Sequence, residues 1–284
     1  MQMIGCGTET YLYVNGISTS KEIMLHDDVV LIPVTANFHY KKVSKLLKSD
    51  VDFAIASVSG RSIGSQIRIR EANSKELACV AWNAIWDCLL LGALFRCEVM
   101  VNMQCDKPVE QLKSAAYVYI TNYQFRALLA TPYQLTIEDG EWIRSYYSAA
   151  YELLKKDTFE TAVHAMASYK WHSMPRVQLA ILWSGIEALF EVSTEISFRI
   201  SLYVANFLAG EDVVGAERIF HKTKKLYASR SAAVHGGKIK GDLHDLVEES
   251  AMLLNRIIRR CAELGTLPDT KNLTFPRTIS RHQC

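Results

Sequence analysis

Between about residue 139 and residue 264 the apolar residues recur at three- and four-residue intervals almost without a break, and this constrains the chain more than any other feature. The spacing predicts helices near 139–155, 157–172, 175–192, 195–209, 213–234 and 242–264. Start and stop residues agree with it. Thr136 followed by Asp139 reads as a helix start whose acids complement the amino-end dipole, Pro175 suits a first turn, and Gly210 and Gly236 suit C-terminal stops. A wholly helical domain over 136–265 is therefore expected.

Upstream the texture differs. TYLYV (10–14), VVLIPV (29–34) and VDFAIASV (51–58) are rich in β-branched and aromatic residues and read as strands, and SQIRIR (65–70) alternates like a half-exposed one. Residues 74–95 read as a long helix, CEVMVNM (97–103) and Tyr117–Ile120 as strands, and Pro108 as the start of a short helix. SGRSIGS (59–65) only loosely resembles a phosphate loop; it lacks the G-K-[ST] ending and reads as a hairpin turn. The expected layout is an α+β domain over 1–135, the helical domain over 136–265, and a tail over 266–284.

The 284 residues are ample for a hydrophobic core, and 49% apolar with 22% charged residues is an ordinary soluble composition. No basic stretch followed by an apolar one opens the chain as a secretory signal would. Seven cysteines form no CxxC pair and no Cys/His cluster, so free thiols in a reducing cytoplasm are expected, with neither disulfides nor a zinc site. His164, His172 and His244 stand singly, so no metal and no cofactor is expected; no GxSxG elbow is present either. LACVAWNAIWDCLLLGALF (77–95) is long enough to span a membrane, but Asn83 and Asp87 interrupt it and no Lys/Arg cluster flanks it. It reads as a buried central helix.

The formal charge of +2 says little, whereas its distribution says more. Between Arg218 and Lys240 lie seven Lys or Arg residues and no Asp or Glu, a local positive field suited to a phosphate-bearing partner or, alternatively, a solvated basic helix face. Within it stands KKLYASRSAAVHGG (224–237). Residues five apart on an unbroken helix differ by about 140° in direction, so Arg230 and His235 converge only if the helix distorts or ends there, which Gly236 and Gly237 permit. An arginine and a titratable imidazole suffice in principle to cleave RNA without a metal: imidazole moves protons at the 2′-hydroxyl or leaving oxygen, and guanidinium stabilises the phosphorane charge.

WSGIEALFE (183–191), a following helix pair, KKLYASRSAAVHGG and a long closing helix (242–264) together resemble the Apea-like group of HEPN domains. The resemblance covers roughly residues 140–265 and rests on Trp183, Glu187, Leu189, Tyr227, Arg230, Ser231, His235 and Gly236 in their expected order. It implies an all-α bundle that dimerises through the C-terminal domain, bringing the R-x4–6-H elements of two copies into one cleft. It also implies a cytoplasmic, metal-independent endoribonuclease, used in antiviral (abortive infection) defence or as a toxin. Carried over, Arg230 and His235 are the catalytic pair and Glu187 orients Arg230. Ser231, Tyr227, Lys222, Lys224, Lys225 and Lys238 hold the RNA. The α+β domain would then receive an activating or inhibiting ligand or protein, and no membrane is involved. Ser231 departs from the Asn, Asp or His that many such ribonucleases carry after the arginine. An inert HEPN module for RNA or nucleotide binding, or for assembly, is the alternative. Glu187 has a rival reading as a simple ion-pair partner, and Tyr227, Trp183, Leu189 and Phe190 as core.

Overall fold

The computed structural model describes residues 3–124, 131–238 and 241–274, and the chain divides into two units between Tyr151 and Glu152. The first unit is built on a six-stranded antiparallel sheet of β1 (Glu9–Asn15), β3 (Ile23–His26), β4 (Val29–Pro33), β5 (Ile63–Arg70), β6 (Met100–Cys105) and β7 (Val118–Ile120). The order is β3-β4-β5-β1-β6-β7. A two-residue parallel ladder joins β2 (Ile17–Ser18) to β8 (Tyr133–Gln134).

Alternation along β1 divides its side chains between the two faces. Tyr11 and Tyr13 join Val30, Ile32, Met103, Val118 and Ile120 in a cluster closed by Val43 of α1 (Tyr40–Leu46), by Ile55 and Ala56 of α2 (Asp50–Ser59), and by Val109 and Leu112. Leu12, Ile67 and Ile69, all fully buried, point the other way, toward α3 (Ser74–Phe95). By length and composition α3 is apolar enough to cross a membrane, yet 56% of its most apolar window is buried inside the protein. Leu77, Ala81, Ala84, Cys88 and Leu91 are covered and Trp82 is left outside. It is a core helix, as expected.

Three expectations for this half change. VDFAIASV is helix α2 rather than a strand. The Ser49 side chain accepts from the Asp52 amide, Asp50 and Asp52 suit the amino-end dipole, and only one side (Ile55, Ala56, Ser59) is buried. β-branched content was outvoted by a cap and by one-sided burial. SGRSIGS therefore links α2 to β5 and is not a hairpin. β6 begins at Met100, not Cys97, because the Cys97 amide donates back to the Gly92 carbonyl and closes α3. Pro108 does open a short helix, of the 3-10 kind (Val109–Ser114).

α4 (Ile137–Leu153) opens with the anticipated reciprocal cap: Asp139 N–H donates to Thr136 Oγ1 and Thr136 N–H to Asp139 Oδ2. Through Tyr151 it belongs to the first unit, sixteen residues beyond the boundary that the change in sequence texture marked. Ile143, Tyr147 and Ala150 bury its inner side, and a polar network adds to this packing. Asp87, 1% exposed on α3, accepts from Tyr147 Oη at 2.8 Å and lies 3.0 Å from His26 Nε2, while His26 stacks on Tyr151.

The second unit is helical: α5 (Asp157–Ser168), α6 (Pro175–Phe190), α7 (Ile196–Ala209), α8 (Val213–Val234) and α9 (Leu243–Leu264), each within a few residues of its predicted span. α6 is central and packs on α5, α8 and α9, burying Leu179, Leu182, Trp183, Ile186, Leu189 and Phe190. Trp183 is fully buried, and its Nε1 donates to Ser250 of α9. Gly185 lets α5 approach: a Cβ there would lie 2.9 Å from that of Ala165. Of the C-terminal tail, residues 266–274 are described, and Asn206 Nδ2 donates to the Leu273 carbonyl.

Candidate functional site

The site forms where α8 lies antiparallel against α6. Arg176, Trp183 and Glu187 follow one another at seven- and four-residue steps, so α6 turns all three toward one side. α8 answers with Tyr227, Arg230 and Ala233. Arg230 Nη2 lies 3.0 Å from Glu187 Oε1 and donates to Oε2 at 3.1 Å. The two side chains are 18% and 29% exposed. Glu187 Oε1 and Arg230 Nε are both buried with no hydrogen bond of their own. The pair is a one-nitrogen contact rather than a two-pronged clamp, which leaves the guanidinium unspent donors.

Tyr227 bridges this pair to the core. Its ring packs edge-on against Trp183 with centroids 5.2 Å apart, and the Arg230 guanidinium stands 5.7 Å from its centroid. Burial pushes the Tyr227 phenol up, the Glu187 carboxylate adds to this, and Arg230 opposes it. The Glu187 carboxyl is also pushed above its ordinary value, by burial first, against the pull of Arg230.

α8 runs regularly to Val234 and stops at His235. The stop is a Schellman turn: Gly236 takes φ +75°, and the Gly237 amide donates to the Ala232 carbonyl at 2.8 Å. The glycine pair is thereby accounted for by the helix end. Because nothing distorts the helix between residues 230 and 234, His235 lies about 140° round the axis from Arg230, and the two do not converge within one chain. Arg230 faces α6. His235 is exposed, and its imidazole contacts no partner among the described residues.

The expected RNA-holding residues are spread round the helix. Lys222 is held by Glu249 of α9 at 3.4 Å, so its charge is partly answered by a neighbour that no window along the sequence includes. Lys224, Lys225 and Lys238 are exposed, and Ser231 is half-buried with its hydroxyl unengaged among the described residues. Lys240 lies outside the described residues.

Arg176 went unnoticed in the sequence. Its Nη1 donates to the Ala233 carbonyl at 3.1 Å, satisfying one of the unpaired carbonyls at the end of α8. A signal was there: a cation in the first turn of α6, beside Pro175, opposes that helix's own dipole and calls for a partner elsewhere. The carbonyl end of an antiparallel helix is such a partner. No protein-family model, no curated protein and no solved structure matches the chain.

Proposed function

We propose that the helical unit is a HEPN-type domain and that the protein is a metal-independent endoribonuclease acting as a homodimer. The observation that carries this is the pairing of a pinned cation with a free base on one helix. Glu187 holds Arg230 while leaving donors unspent, and α8 ends on an exposed His235. Imidazole takes the proton of the RNA 2′-hydroxyl as that oxygen attacks phosphorus. The guanidinium stabilises the added negative charge, and a second imidazole protonates the departing 5′-oxygen. The products are a 2′,3′-cyclic phosphate and a 5′-hydroxyl. One chain has one such histidine and turns it away from its arginine. A dimer formed by the helical unit supplies two histidines and lets each serve the other chain's arginine. The resemblance alone supports use in antiviral defence or as a toxin, and a regulatory ligand or protein on the first unit.

The test is purified full-length protein with total RNA in EDTA, beside His235→Ala. Cleavage by the wild type that falls by about 10²–10⁴-fold in the variant supports the mechanism. Cleavage lost in EDTA and restored by Mg²⁺ refutes it. The second reading, an inert module for RNA or nucleotide binding or for assembly, is favoured by one observation: within the chain Arg230 is engaged by Glu187. RNA binding by wild type and His235→Ala alike, with cleavage by neither, is its signature.

A further inference from the structure

Around α8, the half-turn opposite the buried residues carries a row that leads away from the catalytic His235. Phe220, Lys224, Ser231 and His235 are separated by four, seven and four residues and fall within about 60° of one another round the axis, over about 22 Å of helix. At the far end from His235 this row meets α7. Phe198, 51% exposed, packs its ring against Phe220 with centroids 5.7 Å apart and planes at 74°. The Lys224 ammonium stands 5.8 Å from the Phe220 centroid, and the His221 ring lies at 5.4 Å. Phe198 is thus an aromatic ring held by Phe220 and half open to solvent, with the Lys224 ammonium over the neighbouring Phe220 ring.

We propose that Phe198, buttressed by Phe220, is a stacking platform for a base of single-stranded RNA, with Lys224 meeting the adjoining phosphate. The inference rests on the ribonuclease reading for its substrate class and adds a subsite several nucleotides from the scissile bond. Three observations favour RNA over a second copy of the chain. Glu195 faces Arg199 at 3.4 Å and Glu217 lies 3.9 Å from the His221 ring, so neither carboxylate answers Lys224, which is left for an external anion. A two-fold contact centred on this patch would gather the Lys224 ammonium of both copies into one interface. The rigid ring also pays little ordering entropy, and a base face needs no hydrogen-bond code.

The experiment measures binding of a fluorescent single-stranded RNA by full-length protein. The RNA is 2′-O-methylated throughout, so it cannot be cleaved by 2′-hydroxyl attack. Phe198→Ala weakens binding by roughly 5- to 150-fold, Phe198→Leu by nearly as much, and Phe198→Trp restores it. Affinity for a duplex of the same sequence is unchanged by any of the three. Phe198 is half in solvent, so these changes leave the fold intact, and circular dichroism verifies it. Equal affinity for wild type and Phe198→Ala, full affinity in Phe198→Leu, or absence of RNA binding overturns the proposal. A change of oligomeric state in Phe198→Ala without loss of RNA affinity also overturns it and makes the patch a contact between copies. Binding that depends on Phe198 in a protein that never cleaves RNA leaves the platform standing and removes the ribonuclease reading. Cleavage with no dependence of binding on Phe198 does the reverse.

Discussion

Arg230→Ala should destabilise the helical unit in a pH-dependent way. A surface ion pair contributes about 0–1 kcal/mol, whereas stripping one partner from a buried pair costs about 3–5 kcal/mol. With exposures of 18% and 29% and a single donated hydrogen bond, the Arg230–Glu187 pair stands between these limits. After discounting for the solvent that reaches it, the loss near neutral pH is about 2 kcal/mol, including the contact with Tyr227. Burial already holds the Glu187 carboxyl above its ordinary value, and Arg230 is what pulls it down. Removing Arg230 raises the folded-state value further. An acid with a folded value above its unfolded one binds more protons when folded. It costs no stability below the unfolded value, about 4.3, and costs progressively more as pH rises through the folded value. The Arg230→Ala deficit therefore grows from mildly acidic to neutral pH. Glu187→Gln added to Arg230→Ala recovers part of it, since a neutral amide has no charge to bury. The assay is urea unfolding followed by far-ultraviolet circular dichroism across that pH range. A deficit that is flat with pH, or no recovery in the double variant, would refute the account.

Three further perturbations probe the two units. Asp87→Ala takes the carboxylate away from the buried Tyr147 hydroxyl and the His26 ring and should cost about 3–5 kcal/mol, against about 1–2 kcal/mol for Tyr147→Phe. A double-mutant cycle with no coupling between these residues counts against the network. Burial alone would raise Glu110, but hydrogen bonds from the Thr35 amide and the Gln66 side chain outweigh it and leave the carboxyl below its ordinary value. Its stabilisation is present above the unfolded value and lost as pH falls through the folded one. The advantage of wild type over Glu110→Gln should thus shrink on acidification, and an advantage that grows in acid contradicts the assignment. Gly236→Ala places a side chain at φ +75° and should cost about 1–2 kcal/mol in thermal unfolding, a loss that a neutral result would exclude.

The helical half was legible in sequence because its signals are local. Apolar spacing, the Thr136–Asp139 cap, Pro175 and the two stop glycines act within a turn or two of where they stand, and the helices fall where those residues put them. The α+β half was legible only in part. VDFAIASV has strand-like composition, and its helix depends on the Ser49 cap and on which side meets the sheet, a long-range choice that composition does not encode. Asp87 looked like an interruption in an apolar helix, whereas it is the buried acceptor that fastens α4 to α3 from sixty residues away. At the site the division is the same. Glu187, Tyr227, Arg230 and His235 were all identifiable by type and order. That α6 and α8 run antiparallel, so that Glu187 takes Arg230 and Arg176 takes the Ala233 carbonyl, was decided by packing. So was the turning of His235 to the opposite side, because a helix that stays regular to its last residue fixes the angle between two side chains however well their spacing matches a motif.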